Sequence, residues 1–262
     1  MTNTFLTKQQ LYGIYQSNLI MCEIQIDIIK KNTNKIIGEY YWNLQNNPQN
    51  SRLDRLKLEL QASQRLYMFL LGNWFELRLY KILYESSRVS FNEMELDEIN
   101  QEKSIGDKWK KSFKIAINHI SSTESWEEIT RDYIDKMFQD EYIKEIQDVI
   151  TARNRLAHGQ WDIQLASSGK TERTPELLVK VLNMQQAVEF YNKLKGLAEF
   201  LELFVIYKEK DTSDFEQKVH SIVDRINNTG SRVDNKDYDK YIERCVKGFE
   251  NKRNRCRASQ NI

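Results

Sequence analysis

The chain has 262 residues, of which 40% are hydrophobic and 29% charged, enough apolar material for a sizeable core and too much for a disordered chain. Its 39 Lys and Arg stand against 38 Asp and Glu, a net charge of +1, so an anionic partner has to be held by a local cluster of cations rather than by the field of the whole molecule. With only 9 Gly and 2 Pro, the chain is short of the residues that β-sandwiches and barrels consume at their turns, which leaves helices.

Cys22, Cys245 and Cys256 are an odd number at scattered spacing and form neither a zinc ligand set nor a disulfide framework. No stretch reaches the roughly 18 uncharged apolar residues of a membrane span, and residues 1–8 carry no charged-then-apolar leader. The expectation is a cytoplasmic protein with no membrane contact, no metal and no cofactor.

In chain order, residues 8–42 place Leu11, Ile14, Tyr15, Leu19, Cys22, Ile26 and Ile29 at steps of three and four, the period of one amphipathic helix. Pro48, within an Asn-rich segment, marks a turn. Residues 51–86 carry Leu56, Leu60, Tyr67, Leu70, Trp74 and Leu77 on one stripe. An unbroken helix there is about 50 Å long and is expected to form an antiparallel hairpin with the first. Phe69, Leu71, Phe75 and Leu79 widen its stripe enough for two neighbours, as befits a central core helix.

Residues 87–106 are polar and weakly periodic and read as a connector. Helical patterns follow at 108–120, at 124–138 after the N-cap candidates Ser121, Ser122 and Thr123, and at 141–158 before Gly159, a glycine suited to close a helix in the left-handed conformation. The period then changes to two. Trp161, Ile163 and Leu165, and later Leu177, Val179 and Val181, alternate with polar neighbours around a turn-forming stretch, which predicts a small β-hairpin. Asn183 and Gln186 resemble a capping box for a helix to about 207, and two more helices are expected around 215–226 and 238–249. The expected fold is mainly α, with an N-terminal helix over 1–50, a helical core over 51–210 and a C-terminal extension with a basic tail over 211–262.

The most informative stretch is Arg153-Asn154-Arg155-Leu156-Ala157-His158. Ile146, Val149 and Ile150 precede Arg153 by seven, four and three residues, and Leu156 and Ala157 follow at three and four, so Arg153 falls inside the apolar stripe. A guanidinium stays charged in a protein, and on an inward face it needs a carboxylate, a phosphate or another polar cluster. Asn154 and His158 are four apart and share a face, so the amide can orient the imidazole. Spacing alone leaves two readings open: a structural Arg153 paired with a core carboxylate and a His158 that caps its helix, or a catalytic pair.

These six residues, at the end of a helix in an all-helical chain, resemble the signature of the HEPN superfamily, an Arg followed after four to six residues by His, with a polar residue directly after the Arg. Arg153, Asn154 and His158 match it. The resemblance extends coarsely over 51–207, although only the signature is specific. It implies an antiparallel HEPN-type bundle and a metal-independent endoribonuclease of the toxin or defence type. It also implies a homodimer with both motifs in one cleft, RNA as substrate, and an antitoxin or defence-system partner. Some antitoxin-paired members carry a tyrosine two residues after the His; here that position is Gln160, which puts in doubt a toxin regulated by modification there. The alternative is a catalytically inactive HEPN-like module that binds RNA, nucleotide or protein.

On a straight helix, positions five apart differ by about 140° of rotation, so Arg153 and His158 of one chain do not point at one spot. Fraying at Gly159 or a second subunit has to bring them together. An imidazole titrates at about 6.5, which suits His158 as general base or general acid, and Arg153 would stabilise charge on the phosphoryl oxygens. HEPN proteins often carry a polar residue on an earlier core helix facing the motif. Glu76 is the candidate to orient Arg153, against a solvated Glu76 or one paired with Arg78 along its own helix. Lys247, Lys252, Arg253, Arg255 and Arg257, near Phe249, read as a solvated tail or as phosphate contacts. His119 and His220 read as surface or packing residues, and Trp42, Trp109 and Trp126 as core.

Overall fold

The computed structural model describes residues 6–85, 90–119, 136, 138, 142–161, 183–206, 212–235 and 237–260. Among them it is helical throughout, with no strand and no helix long and apolar enough to cross a membrane. The helices are α1 (Lys8–Asn46), α2 (Leu53–Leu83), α3 (Glu93–Asn100), α4 (Ile105–His119), α5 (Ile143–Ala157), α6 (Met184–Ile206), α7 (Thr212–Asn235) and α8 (Asp239–Gln260). The hairpin expected over 161–181, apart from Trp161, and nearly all of the helix expected over 124–138, with Trp126, lie outside the described residues; Trp161 itself lies in a bend and packs on Phe69 with ring centroids 6.1 Å apart.

Helices α1 and α2 form the antiparallel hairpin that Pro48 predicts. Cys22 Sγ donates to the Leu70 carbonyl at 3.6 Å, Trp74 Nε1 to Glu23 at 3.0 Å, and Tyr15 stacks on Tyr80 with ring centroids 4.9 Å apart. Thr7 and Gln10 close α1 with a capping box that satisfies two otherwise orphaned N–H groups. Helix α2 is the central element, burying Leu56, Tyr67, Leu71, Phe75, Leu79 and Leu83. Its Phe75 ring stacks on Trp109 of α4 at 4.3 Å. Beyond it Phe113 meets Phe138, Phe200 and Phe204 at centroid distances of 3.7, 5.5 and 5.3 Å. One contiguous cluster of buried side chains runs from Leu19 of α1 to Val233 of α7.

Two expectations are corrected. The segment 87–106 is more than a connector: it contains α3, opened by a capping box between Asn92 and Glu95 and anchored by buried Leu96 and Ile99. His119 at the end of α4 pairs with Glu95 on this helix. The C-terminal basic run is helical, because α8 continues through it to Gln260, and its Lys247, Lys252 and Arg255 are exposed. This helix lies parallel to α1: Tyr241 Oη donates to Asn34 at 2.6 Å, Cys245 packs on Gly38, and Phe249 meets Trp42 with centroids 5.9 Å apart. A Cβ on Gly38 would come within 2.9 Å of the Cys245 carbonyl carbon, so the missing side chain is what lets two backbones approach. Trp42 is accordingly half-buried beneath α8 rather than a core residue.

Helix α7 runs back along α6. Ile226 seats on Gly196, Arg225 pairs with Glu199, and Phe215 meets Phe204 edge to face at 5.5 Å. Asn183 Oδ1 accepts from the Gln186 backbone N–H at 2.9 Å as a cap does. The Gln186 side chain donates to the Val233 carbonyl, tying the start of α6 to the end of α7.

Candidate active site

Helix α5 presents Ile146, Val149, Ile150 and Leu156 to the core, and Arg153 follows on the same side. Contact with α2 is made at Gly72, where a Cβ would lie 2.8 Å from Arg153 Cγ and 3.5 Å from the Val149 carbonyl oxygen. Gly72 was absent from the sequence-derived candidates, although a glycine inside an otherwise strong helix costs about 1 kcal/mol and signals a packing reason.

One helical turn along α2 from Gly72, Glu76 reaches the Arg153 guanidinium and pairs with Nη2, with side chains 25% and 19% exposed. Two such groups, mostly withdrawn from water, interact more strongly than an exposed pair. Arg153 Nη1 donates to Asn154 Oδ1 at 2.9 Å, and its buried Nε has no acceptor among the described residues. Burial pulls the guanidinium below its ordinary pKa, yet far too little range exists for it to lose its charge near neutrality. Arg78, the intrahelical alternative, instead pairs with Glu202 on α6, which Lys81 Nζ also approaches at 3.4 Å.

The end of α5 is built tightly. His158 N–H donates to the Asn154 carbonyl, Gly159 N–H to Leu156 and Gln160 N–H to Arg155, at 3.0, 3.1 and 3.1 Å, with Gly159 at φ 77°. This is a Schellman closure. The contact that usually accompanies it is polar here: Arg155 donates to Gln160 Oε1 at 3.3 Å. The helix is therefore hydrogen-bonded up to the residue that carries the imidazole, which removes fraying at Gly159 as a way to swing His158 toward Arg153.

Asn154 and His158 are both exposed. Among the described residues the His158 imidazole has no hydrogen-bond partner, and it caps no carbonyl through its side chain. Glu76, Arg153 and Asn154 thus form a contiguous chain, while His158 stands apart on the surface at the helix end. Glu76 also lines a cleft of about 610 Å³ between α1 and α2, opposite Tyr15, Asn18 and Met21. Among the described residues no group of three or more His, Cys, Asp or Glu is arranged to hold a metal ion.

No protein-family model, curated protein or solved structure matches the chain.

Proposed function

We propose that the protein is a metal-independent endoribonuclease of HEPN type, with Arg153, Asn154 and His158 as its catalytic residues and Glu76 as a positioning residue. The observation that carries this reading is the Arg153 guanidinium, half-buried beside Gly72, oriented by Glu76 and Asn154, with a donor at Nε that nothing among the described residues accepts. Orientation of a planar cation by two fixed acceptors is what an oxyanion stabiliser requires, since preorganised donors cost no rearrangement when charge develops.

In the reaction, the substrate's own 2′-oxygen attacks the adjacent phosphorus. The O2′–P bond forms, the P–O5′ bond breaks, the 2′ proton passes to a base, and the departing 5′-oxygen takes a proton from an acid. The products end in a 2′,3′-cyclic phosphate and a 5′-hydroxyl. An exposed imidazole suits His158 for either proton transfer. Because the nucleophile belongs to the RNA, DNA is not cut.

The two side chains diverge by about 140° around α5, and the Schellman closure keeps them so. A second copy of the chain supplies the missing group by bringing its His158 to this Arg153. A face for such association exists on α1, where Ile14, Met21, Ile24 and Ile28 are exposed on the side away from the core. Met21 borders the cleft that Glu76 lines. An isologous contact along this row relates the two motifs by a twofold axis. The biological setting that fits such an activity is the cytoplasm, in a defence system or a toxin restrained by an antitoxin.

The test is incubation of the pure protein with mixed RNA in EDTA, followed by analysis of fragment ends. Cyclic phosphate termini are expected, with activity falling by about 10²-fold or more in Arg153→Ala and His158→Ala. Cleavage of DNA, or full activity in a folded His158→Ala variant, overturns the proposal. Absence of cleavage by a demonstrably dimeric protein leaves a binding module in its place.

A further inference from the structure

A large groove lies away from Arg153, toward the C-terminal end of α1. It measures about 1130 Å³ and runs between the C-terminal half of α1, the start of α6 and the face of α8. Val188, Tyr241 and Phe249 give it an apolar floor. Lys30, Lys35, Arg244, Lys252 and Arg253 set five cations around it, against the two carboxylates Glu39 and Glu189. Glu39 is already engaged by Arg52 at 3.4 Å. Among the described residues Lys30, Lys35 and Lys252 make no ion pair. The Arg253 guanidinium is held over the Trp42 ring at 4.0 Å and that of Arg244 over Tyr241 at 5.5 Å, so both are positioned rather than free to wander.

A second feature sits in the same groove. Gln185 lines it, is only 5% exposed, and its Oε1 is a buried acceptor without a donor among the described residues. Such groups are rare in folded proteins, and each asks for a partner.

We propose that this groove binds a nucleotide whose base carries an exocyclic amine, with the base on the Val188, Tyr241 and Phe249 floor, its amine toward Gln185, and its phosphates among Lys35, Arg244 and Lys252. A simple anion leaves the apolar floor and Gln185 unused. A lipid tail covers the floor but seals the Gln185 acceptor against hydrocarbon, where nothing can donate to it. A base satisfies both demands, since every base has a face to lay on an aromatic ring and its edge carries the donor. Single-stranded RNA and free nucleoside phosphates offer the same chemistry. The groove is separated from Cys22, opposite Glu76, by about 18 Å along α1 at the Asn34 level, so this inference stands independently of the proposed nuclease chemistry.

The experiment is calorimetric titration of the full chain, in EDTA, with ATP, UTP, tripolyphosphate and oligo(A). ATP is expected to bind at least about tenfold more tightly than tripolyphosphate or UTP, and more weakly as salt rises. The surface variant Arg244→Glu/Lys252→Glu, with unchanged circular dichroism, loses at least about tenfold in affinity. Gln185→Leu brings ATP down to the level of UTP. Tighter binding per nucleotide by oligo(A) than by ATP assigns the groove to an RNA strand, and the reverse to a free nucleotide; both support it. Equal binding of tripolyphosphate and ATP, no ATP binding up to about 1 mM, or unaltered binding by the double variant overturns it.

Discussion

Gly72 of α2 lies directly under Arg153 of α5, with no room for a single carbon between them: a Cβ there would sit 2.8 Å from Arg153 Cγ. The contact sets both the spacing of two core helices and the position of the guanidinium. Gly72→Ala is therefore expected to destabilise the protein despite alanine's better helix propensity, by about 1–3 kcal/mol as an overpacked site does. Urea unfolding measures it. Stabilisation by the substitution would show that α5 moves aside at no cost.

Glu76 and Arg153 are partly shielded from water, so removing one leaves the other charge without its partner. Glu76→Ala is expected to cost about 1–3 kcal/mol. Glu76→Leu combined with Arg153→Met should recover a good part of what either single change loses, because no uncompensated charge remains. A double-mutant cycle in urea reads the coupling directly, and additive losses would mean that the pair is solvated and idle.

Gly159 has open space around it but a φ of 77°. Gly159→Ala meets no clash and still costs about 1–2 kcal/mol, since the left-handed conformation brings Cβ against the following carbonyl. Gly159→Asn costs less. Thermal melts of the two variants separate this conformational penalty from a packing one.

How much of this was legible from the residues differs by element. The α1 and α2 helices followed from long periodic runs broken at Pro48, because many apolar positions repeat the same angular signal. Helix α3 escaped because two turns offer only Leu96 and Ile99 as a stripe. Its Asn92–Glu95 capping box was the sign of it. For the site, an Arg153 inside an apolar stripe pointed to a polar partner. That the partner is Glu76, a residue 77 positions earlier by sequence number, depends on which helices pack, and periodicity carries no such information. The basic run on α8 reads as solvated because most of that helix is polar. The spacing of four among Tyr241, Cys245 and Phe249 was the trace of its seat on α1.

The Cys22 thiol is pushed up to about 11, first by burial and then by Glu23, and it donates to the Leu70 carbonyl. In the unfolded chain the thiol ionises near 9.0, so between these values the unfolded state holds fewer protons than the native one. Stability is complete below pH 9 and falls as pH rises toward 11, by up to about 1.4 kcal/mol per pH unit from this group. Burial pushes Tyr241 up to about 12, which extends the loss to higher pH. Urea midpoints at pH 8 to 11 should decline in wild type, and less steeply over 9 to 11 in Cys22→Ala. A parallel decline in the variant would assign the effect elsewhere.

The pairing of Asn34 with Tyr241 joins residues 207 positions apart, and all of the α1 to α8 contact is of this kind. During synthesis, the stretch of α1 around Gly38 waits bare until α8, 207 positions further on at Tyr241 relative to Asn34, has been made. Closure of so long a loop is slow, so this seam forms late and is meanwhile open to chaperones or to a neighbouring nascent copy. Retarded refolding and aggregation, more than lowered final stability, are the form in which damage to Gly38 would be felt.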